Sequence, residues 1–354
     1  MHIGILTGGG DCPGLNAVIR AVTLSLINEC GARVTGIERG FLGLLTRASR
    51  PLDAGTVAGI LAEGGTILGT HNKCDPFHFF GSGGADCSAE AIAYVNELGL
   101  DALVAIGGDG TMAIAHKFEA MGLPVVGVPK TIDNDLYCTE RTFGFDSAVA
   151  VVAEALDRLA TTGRSHGRVM IAETMGRYAG WIALEGGMAG GADVILIPEI
   201  PFSVQAVAER CRERESRGLP TIISIAEGAM PEGGGMTVQR TIADSPDPLR
   251  LGGVGNWLQQ QLEPLVECEV RTTLLGHIQR GGSPTPFDRV LATRFGYHAA
   301  QLVEAGQYGR MVALQGDAVV SVPIAEVAGK NRLVPREHEM VRAARGIGVA
   351  LGEA

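Results

Sequence analysis

An aspartate set between glycines is the first residue to suggest chemistry. In VAIGGDGTMAIAHK, residues 104–117, Asp109 follows an apolar run and precedes a helical pattern, with no charge partner nearby in sequence. An acid at the end of a buried strand is well placed to hold Mg2+ on a polyphosphate. It can also cap the helix that follows. The same layout occurs earlier, in ILTGGGDCPGLNAVIR, residues 5–20, where three glycines ending at Gly10 separate a strand from a helix. Bare backbone N–H groups beside a helix N-terminus make a phosphate site; a tight strand-to-helix turn is the alternative. The spacing is neither the Walker A nor the dinucleotide fingerprint. Finding one layout twice favours phosphate with Mg2+ over two unrelated turns.

A third stretch, VGVPKTIDNDLYCTE, residues 126–140, places Asp133, Asn134 and Asp135 after Lys130 and Thr131. Phosphoryl transfer needs a carboxylate to take the acceptor hydroxyl's proton and a cation to offset charge on the moving group. This stretch holds both, although a solvated acidic turn has the same composition. Two further stretches, 165–180 and 271–289, set Arg168, Arg177, Arg271 and Arg280 at strand ends or in glycine turns. Arginine grips phosphate oxygens in pairs. Taken alone, His277 reads as a satisfied core histidine, and Glu227 as a surface acid beside a loop rather than an acceptor for sugar hydroxyls.

These residues need a scaffold that gathers strand ends. Short apolar runs at 3–6, 102–106, 125–128, 169–172, 194–197, 221–226 and 270–275 suit strands buried on both faces. Helical patterns lie between them, near 14–29, 88–98, 112–121, 146–160, 177–189, 203–217 and 286–304. The alternation implies an α/β fold with parallel sheets, and ligands then bind beyond the carboxyl ends of the strands. One unit spans about 1–144 and a second starts near Asp146. The Gly/Pro-rich stretch 228–255 reads as a surface excursion, and the tail from Lys330 as a weak helix.

Composition narrows the function. A net charge of −10 with no basic stripe argues against nucleic-acid and anionic-membrane partners, so local arginines and lysines must hold any anionic substrate. Seven scattered cysteines without a CxxC pair fit neither a metal site nor a disulfide framework, and suit the cytoplasm. No uncharged apolar run reaches transmembrane length, and with residues 3–6 already reading as a buried strand no N-terminal signal is expected before it.

In order along the chain, LTGGGDCPGLNAVIR, GGTILG, GGDGT, PKTIDND, MGRYAG, AEG and GHIQRGGSPTPFDR resemble the motifs of the 6-phosphofructokinase family, from Gly4 to about Leu314. The resemblance implies two Rossmann-like three-layer α/β domains with mainly parallel sheets and the active site in the cleft between them. The donor domain would comprise 1–144 plus about 279–328, and the fructose 6-phosphate domain 145–278 plus about 329–354. It implies that Asp133 deprotonates the sugar 1-hydroxyl, flanked by Thr131 and Asp135, with Lys130 and Arg177 offsetting charge. Asp109 matches the Mg2+ ligand, and Gly10 with Gly108, Asp109, Gly110 and Thr111 the donor loops. Ile132, Met175, Gly176, Arg177, Glu227, Ile278 and Gln279 match the sugar-binding set. His277 and Arg280 match the grip on the 6-phosphate. Arg168 and Arg271 match arginines that reach it from a neighbouring subunit, which implies a homo-oligomer, dimer or tetramer.

The donor signatures are mixed. In the family, Gly at the position of Gly110 accompanies ATP, whereas Lys at the position of Lys130 accompanies pyrophosphate. Steric exclusion is harder to evade than one rearrangeable charge, so the expectation is ATP, with pyrophosphate as the alternative. Asn72 stands where short bacterial members place an ATP-contacting arginine, with Lys73 able to supply the charge. Arg20 matches one effector-site arginine, but Leu24 and Ala160 replace others, so weak or absent control by ADP and phosphoenolpyruvate is expected. A non-catalytic regulatory subunit should have lost Asp109 or Asp133. An NAD or lipid kinase would share the GGDG turn but not PKTIDND or GHIQRGG.

Overall fold

Every residue of Ala102–Gly107, Val169–Thr174 and Thr221–Ala226 is buried, as strands covered on both faces require. The computed structural model describes residues 1–241 and 249–353. In chain order the strands are β1 (His2–Thr7), β2 (Arg33–Ile37), β3 (Ser49–Leu52), β4 (Ala102–Gly107), β5 (Val125–Pro129), β6 (Val169–Thr174), β7 (Val194–Leu196), β8 (Thr221–Ala226), β9 (Val238–Thr241), β10 (Leu249–Leu251), β11 (Val270–Leu274), β12 (Arg310–Gln315) and β13 (Ala318–Pro323). The fold is mixed α/β with mainly parallel sheets. The chain divides into two units.

The first unit comprises Met1–Ile132, Leu136–Ser147 and Arg280–Asn331. Its sheet runs β13-β12-β5-β4-β1-β2-β3, parallel from β12 to β2 and closed at each edge by an antiparallel strand. Edge strand β3 carries Pro51, which cannot donate to a ladder and so belongs at an edge. Between β1 and β4 the strand order reverses. That reversal is the topological switch point, where crossovers diverge and leave a crevice at the carboxyl ends. Phe118, Leu6, Leu103 and Met112 anchor a core on one face of this sheet.

The second unit comprises Asp133–Asp135, Ala148–Gln279 and Arg332–Ala354. Its sheet runs β11-β6-β8-β7, all parallel. The turn Asp133–Asp135 groups with this unit, although its flanking residues belong to the first.

Three helices start where carboxylates, buried at Glu173 and Asp288 and half-buried at Glu199, meet their N-termini. The first backbone N–H groups of a helix have no intrahelical partner, and the end carries partial positive charge. Glu173 accepts from Gly253 N and Gly255 N at the start of the helix Val254–Leu262. Glu199 accepts from Gly180 N before the helix Trp181–Ala189, and Asp288 accepts from Ser147 N in the first turn of Phe145–His166. Gly180 and Gly253 occupy the N-cap positions and offer no side chain of their own, so the remote carboxylates do the capping.

Some elements differ from the sequence expectation. The pattern over 177–189 yields a helix only from Trp181, because Gly176, at φ 131°, turns the chain first. Of the stretch 228–255, residues 242–248 lie outside the described residues. Its ends are not surface: Ala229, Leu251 and Val254 are buried. The tail does hold a helix, Glu339–Gly346.

Candidate active site

At the switch point, Gly8 N donates to Ile106 O (2.8 Å) and Lys130 N to Gly107 O (2.9 Å), so the chain segments leaving β1, β4 and β5 are laced together. Buried Thr111 wedges between the two glycine loops. A Cβ on Gly8 would lie 2.5 Å from its hydroxyl, and one on Gly107 2.2 Å. Glycine is required at both positions by this close approach. Lys130 is 4% exposed, and its ammonium donates to Gly10 O. A Cβ on Gly10 would lie 2.8 Å from Arg280 Nη1, which itself donates to Asp11 O. The first unit therefore gathers Gly10, Gly108, Asp109, Gly110, Thr111, Lys130 and Arg280 at one end of its sheet.

Asp109 opens the helix Asp109–Ala120 with its carboxylate exposed. Among the described residues no group of three or more His, Cys, Asp and Glu could hold a metal. A lone carboxylate beside backbone N–H groups fits Mg2+, which keeps several waters and is shared with substrate phosphates. Gly110 is exposed, and a Cβ there would meet nothing within 4 Å.

The segment after GGTILG is stitched to the first glycine loop through Thr70 Oγ1, which donates to Gly9 O at 2.5 Å. Asn72 is exposed and Lys73 half-buried. His71 between them stacks on Phe80 with ring centroids 5.3 Å apart. Burial, then the charges of Arg39 and Lys73, push the His71 pKa below its ordinary value. Arg39, which the sequence reading passed over, adopts a left-handed conformation at φ 60° and packs against Gly69.

In the second unit the carboxyl ends of β11, β6 and β8 lie side by side. Glu227 N donates to Thr174 O and Gly228 N to Gly176 O, which sets Glu227 beside Met175, Gly176 and Arg177. A Cβ on Gly228 would lie 1.9 Å from Arg177 O, so glycine is needed there. Gln279 is fully buried. Its Oε1 accepts from Met175 N and its Nε2 donates to Gly276 O, so its side chain orients the loop rather than facing solvent. His277 and Ile278, on the short helix Gly276–Arg280, are exposed, so His277 is not a core histidine.

Arg168 and Arg271 form a pair through a residue the sequence reading missed. Glu269 Oε2 accepts from Arg168 Nε at 2.6 Å, and Glu269 Oε1 from Arg271 Nη2 at 2.8 Å. The bond from Arg168 holds the Glu269 carboxyl below its usual range. Thr131 is half-buried, its carbonyl accepting from Thr142 Oγ1, and Ile132 is fully buried. Asp133 is half-buried and precedes Asn134, a buried residue at φ 53°.

The sequence model of the phosphofructokinase family matches residues 2–303. The chain belongs to the phosphofructokinase family. An ATP-dependent 6-phosphofructokinase of Chloroflexus aurantiacus is 52% identical over 360 residues, spanning 99% of this chain and 98% of the relative. A pyrophosphate–fructose 6-phosphate 1-phosphotransferase of Amycolatopsis methanolica is 50% identical over 337 residues, spanning 95% and 97%. Among solved structures, phosphofructokinase of Pichia pastoris in the T-state superposes with a TM-score of 0.80 at 31% identity, covering 92% of this chain and 37% of that longer one.

Proposed function

We propose that this chain is a 6-phosphofructokinase that transfers the γ-phosphoryl group of ATP to the 1-hydroxyl of fructose 6-phosphate, giving fructose 1,6-bisphosphate and ADP. The first unit supplies the donor groups: the glycine loops at Gly10 and Gly108–Thr111, Lys130, and Lys73 with Asn72. The second unit supplies Asp133 as base and Met175, Gly176, Arg177, Glu227, His277 and Ile278 for the sugar.

Asp133 takes the proton from the 1-hydroxyl as its oxygen bonds to the γ-phosphorus. The bond to the β-phosphate bridging oxygen breaks, ADP leaves, and the proton passes from the carboxyl group to solvent. Charge moves but little covalent work falls to the protein, so catalysis is positioning and electrostatics. Backbone N–H groups of the glycine loops, Lys130 and Arg177 offset charge on the phosphoryl oxygens. Mg2+, held by Asp109, would neutralise the donor phosphates. Arg280 and His277 grip the 6-phosphate. Arg168 and Arg271, pre-aligned by Glu269, reach a second copy of the chain in a homo-oligomer; β11, which carries Arg271, is an edge strand with Leu274 46% exposed. Among the described residues no helix is long and apolar enough to cross a membrane. We assign the chain to the cytoplasm from its scattered cysteines without a CxxC pair.

Overall identity does not choose the donor, since relatives named for ATP and for pyrophosphate differ by two percentage points, 52% against 50%. The observation that carries the choice is the open space beside Gly110, joined to the engagement of the Lys130 ammonium with Gly10 O. Lys130 itself favours the second reading, pyrophosphate. Initial rates with fructose 6-phosphate and Mg2+, ATP and pyrophosphate in parallel, test this. ATP as sole or preferred donor is expected; turnover with pyrophosphate alone would overturn it. Asp133→Ser should lower kcat by about two to four orders of magnitude with sugar binding retained, the general-base range. Near-normal turnover would remove Asp133 from its role.

A further inference from the structure

Beyond the residues matched by the family model, which end at 303, the chain returns to the turn that carries Asp133. Arg332 N donates to Asp135 O at 2.6 Å, and Arg332 Nη1 donates to Asn134 O at 3.2 Å. Its guanidinium carbon lies 4.1 Å from the centroid of Trp181, which is 1% exposed. The indole closes the circuit, Trp181 Nε1 donating to Arg332 O at 3.0 Å. Backbone N–H, carbonyl and side chain of one residue are thus all engaged. His338 packs edge-on against Trp181 from one side. Glu199 ties the same strap to the start of the Trp181 helix, accepting from Val334 N at 2.8 Å and Gly180 N at 3.0 Å.

We propose that Arg332 is a positioning residue for Asp133, fixing the turn from which the carboxylate acts. The inference rests on the reading of Asp133 as general base. The residue after Asp133 is Asn134 in the left-handed region, which asparagine tolerates better than most side chains, and the turn it makes is held by the bonds from Arg332. The two carbonyls that Arg332 engages are those directly following Asp133. A rigid hold matters there because a reacting group displaced by about 1 Å can lose about 100-fold in rate. The chemistry selects arginine. A planar guanidinium stacks on an indole face while its edge still donates in-plane, whereas a lysine ammonium cannot do both.

The test compares Arg332→Ala, Arg332→Lys, Asp133→Ser and the double variant Asp133→Ser/Arg332→Ala. In the otherwise wild-type protein, Arg332→Ala should lower kcat about 10–100-fold, with KM for fructose 6-phosphate and for the donor within about 3-fold. Arg332→Lys should stay nearer the alanine variant than the wild type, and added guanidinium ion should restore part of the alanine variant's kcat. In the Asp133→Ser background the same alanine substitution should cost less than about 3-fold, because there is no longer a carboxylate to position. An equal loss of kcat in both backgrounds, or unchanged kcat with both KM values raised, would overturn the proposal. If Asp133→Ser itself keeps near-normal turnover, the general-base reading fails. If Asp133→Ser is impaired while Arg332→Ala is fully active, only the positioning role fails. Should Arg332→Ala not fold, Arg332→Lys carries the same comparison.

Discussion

Asp288→Asn should flatten part of the protein's pH–stability curve. Asp288 is fully buried. Its Oδ2 accepts from Ser147 N at 2.8 Å and Ser147 Oγ at 2.7 Å, whereas Oδ1 has no hydrogen-bond partner. Burial, opposed by the Ser147 bonds and aided by the charge of Asp146, pushes its pKa up from 3.8 to about 6. A proton on Oδ1 leaves both Ser147 bonds to Oδ2 in place. The folded state therefore binds this proton more tightly than the unfolded chain does. The associated stability is fully present below the unfolded pKa and is lost as pH rises through the folded one. The rise from 3.8 to about 6 corresponds to about 3 kcal/mol in total, of which about 2 kcal/mol develops between about pH 4.5 and about pH 7.5. Asparagine keeps an acceptor for Ser147 and never titrates. Urea unfolding of both proteins across that range should show the wild type losing about 2 kcal/mol relative to the variant as pH rises, with other groups cancelling. Parallel curves, or a wild type that gains on the variant with pH, would refute the reasoning.

Two predictions bear on the site. Gly110→Asp adds a side chain into open space at the second residue of a helix, where an acid suits the helix N-terminus, so folding should be unharmed. Its kcat/KM with ATP should fall by about 100-fold or more while pyrophosphate use is kept or gained; ATP kinetics within about 3-fold of wild type would remove the steric argument. Glu269→Ala breaks an exposed ion-pair network, so Tm should hardly change. KM for fructose 6-phosphate should rise about 3–10-fold with kcat little altered, as two unaligned guanidinium groups pay more to bind phosphate; an unchanged KM would separate these arginines from the sugar phosphate.

What could be read in the sequence follows the physics of parallel sheets. A strand covered on both faces is a continuous apolar run, so β1, β4, β5, β6 and β8 stand out, and a glycine loop at such a strand's end shows where ligands can approach. Edge elements carry a weaker signal: β3 is SRPL, with no buried stripe to find. The hairpin β12–β13 was findable, because Gly316-Asp317 between two apolar runs is a two-residue turn, with Gly316 at φ 57°. Interactions joining distant residues left no local trace. Sequence inspection sees a capping side chain within three residues of a helix start. Glu199 caps a glycine 19 residues away, Glu173 one 82 away, and Asp288 a serine 141 away. The same limit hid Glu269 between two arginines, one of them 101 residues off, and Arg332 beneath the turn at 134, at a separation of 198. The residues proposed to touch substrate sit in local motifs, since loops must present several groups at once. Those that hold them in place are scattered, since a buried charge or a stacked guanidinium needs only the fold to bring it within reach. A substitution in this second group should therefore act through the residue it holds, on kcat at Arg332, on pH dependence at Asp288 and on KM at Glu269, while leaving the motifs intact.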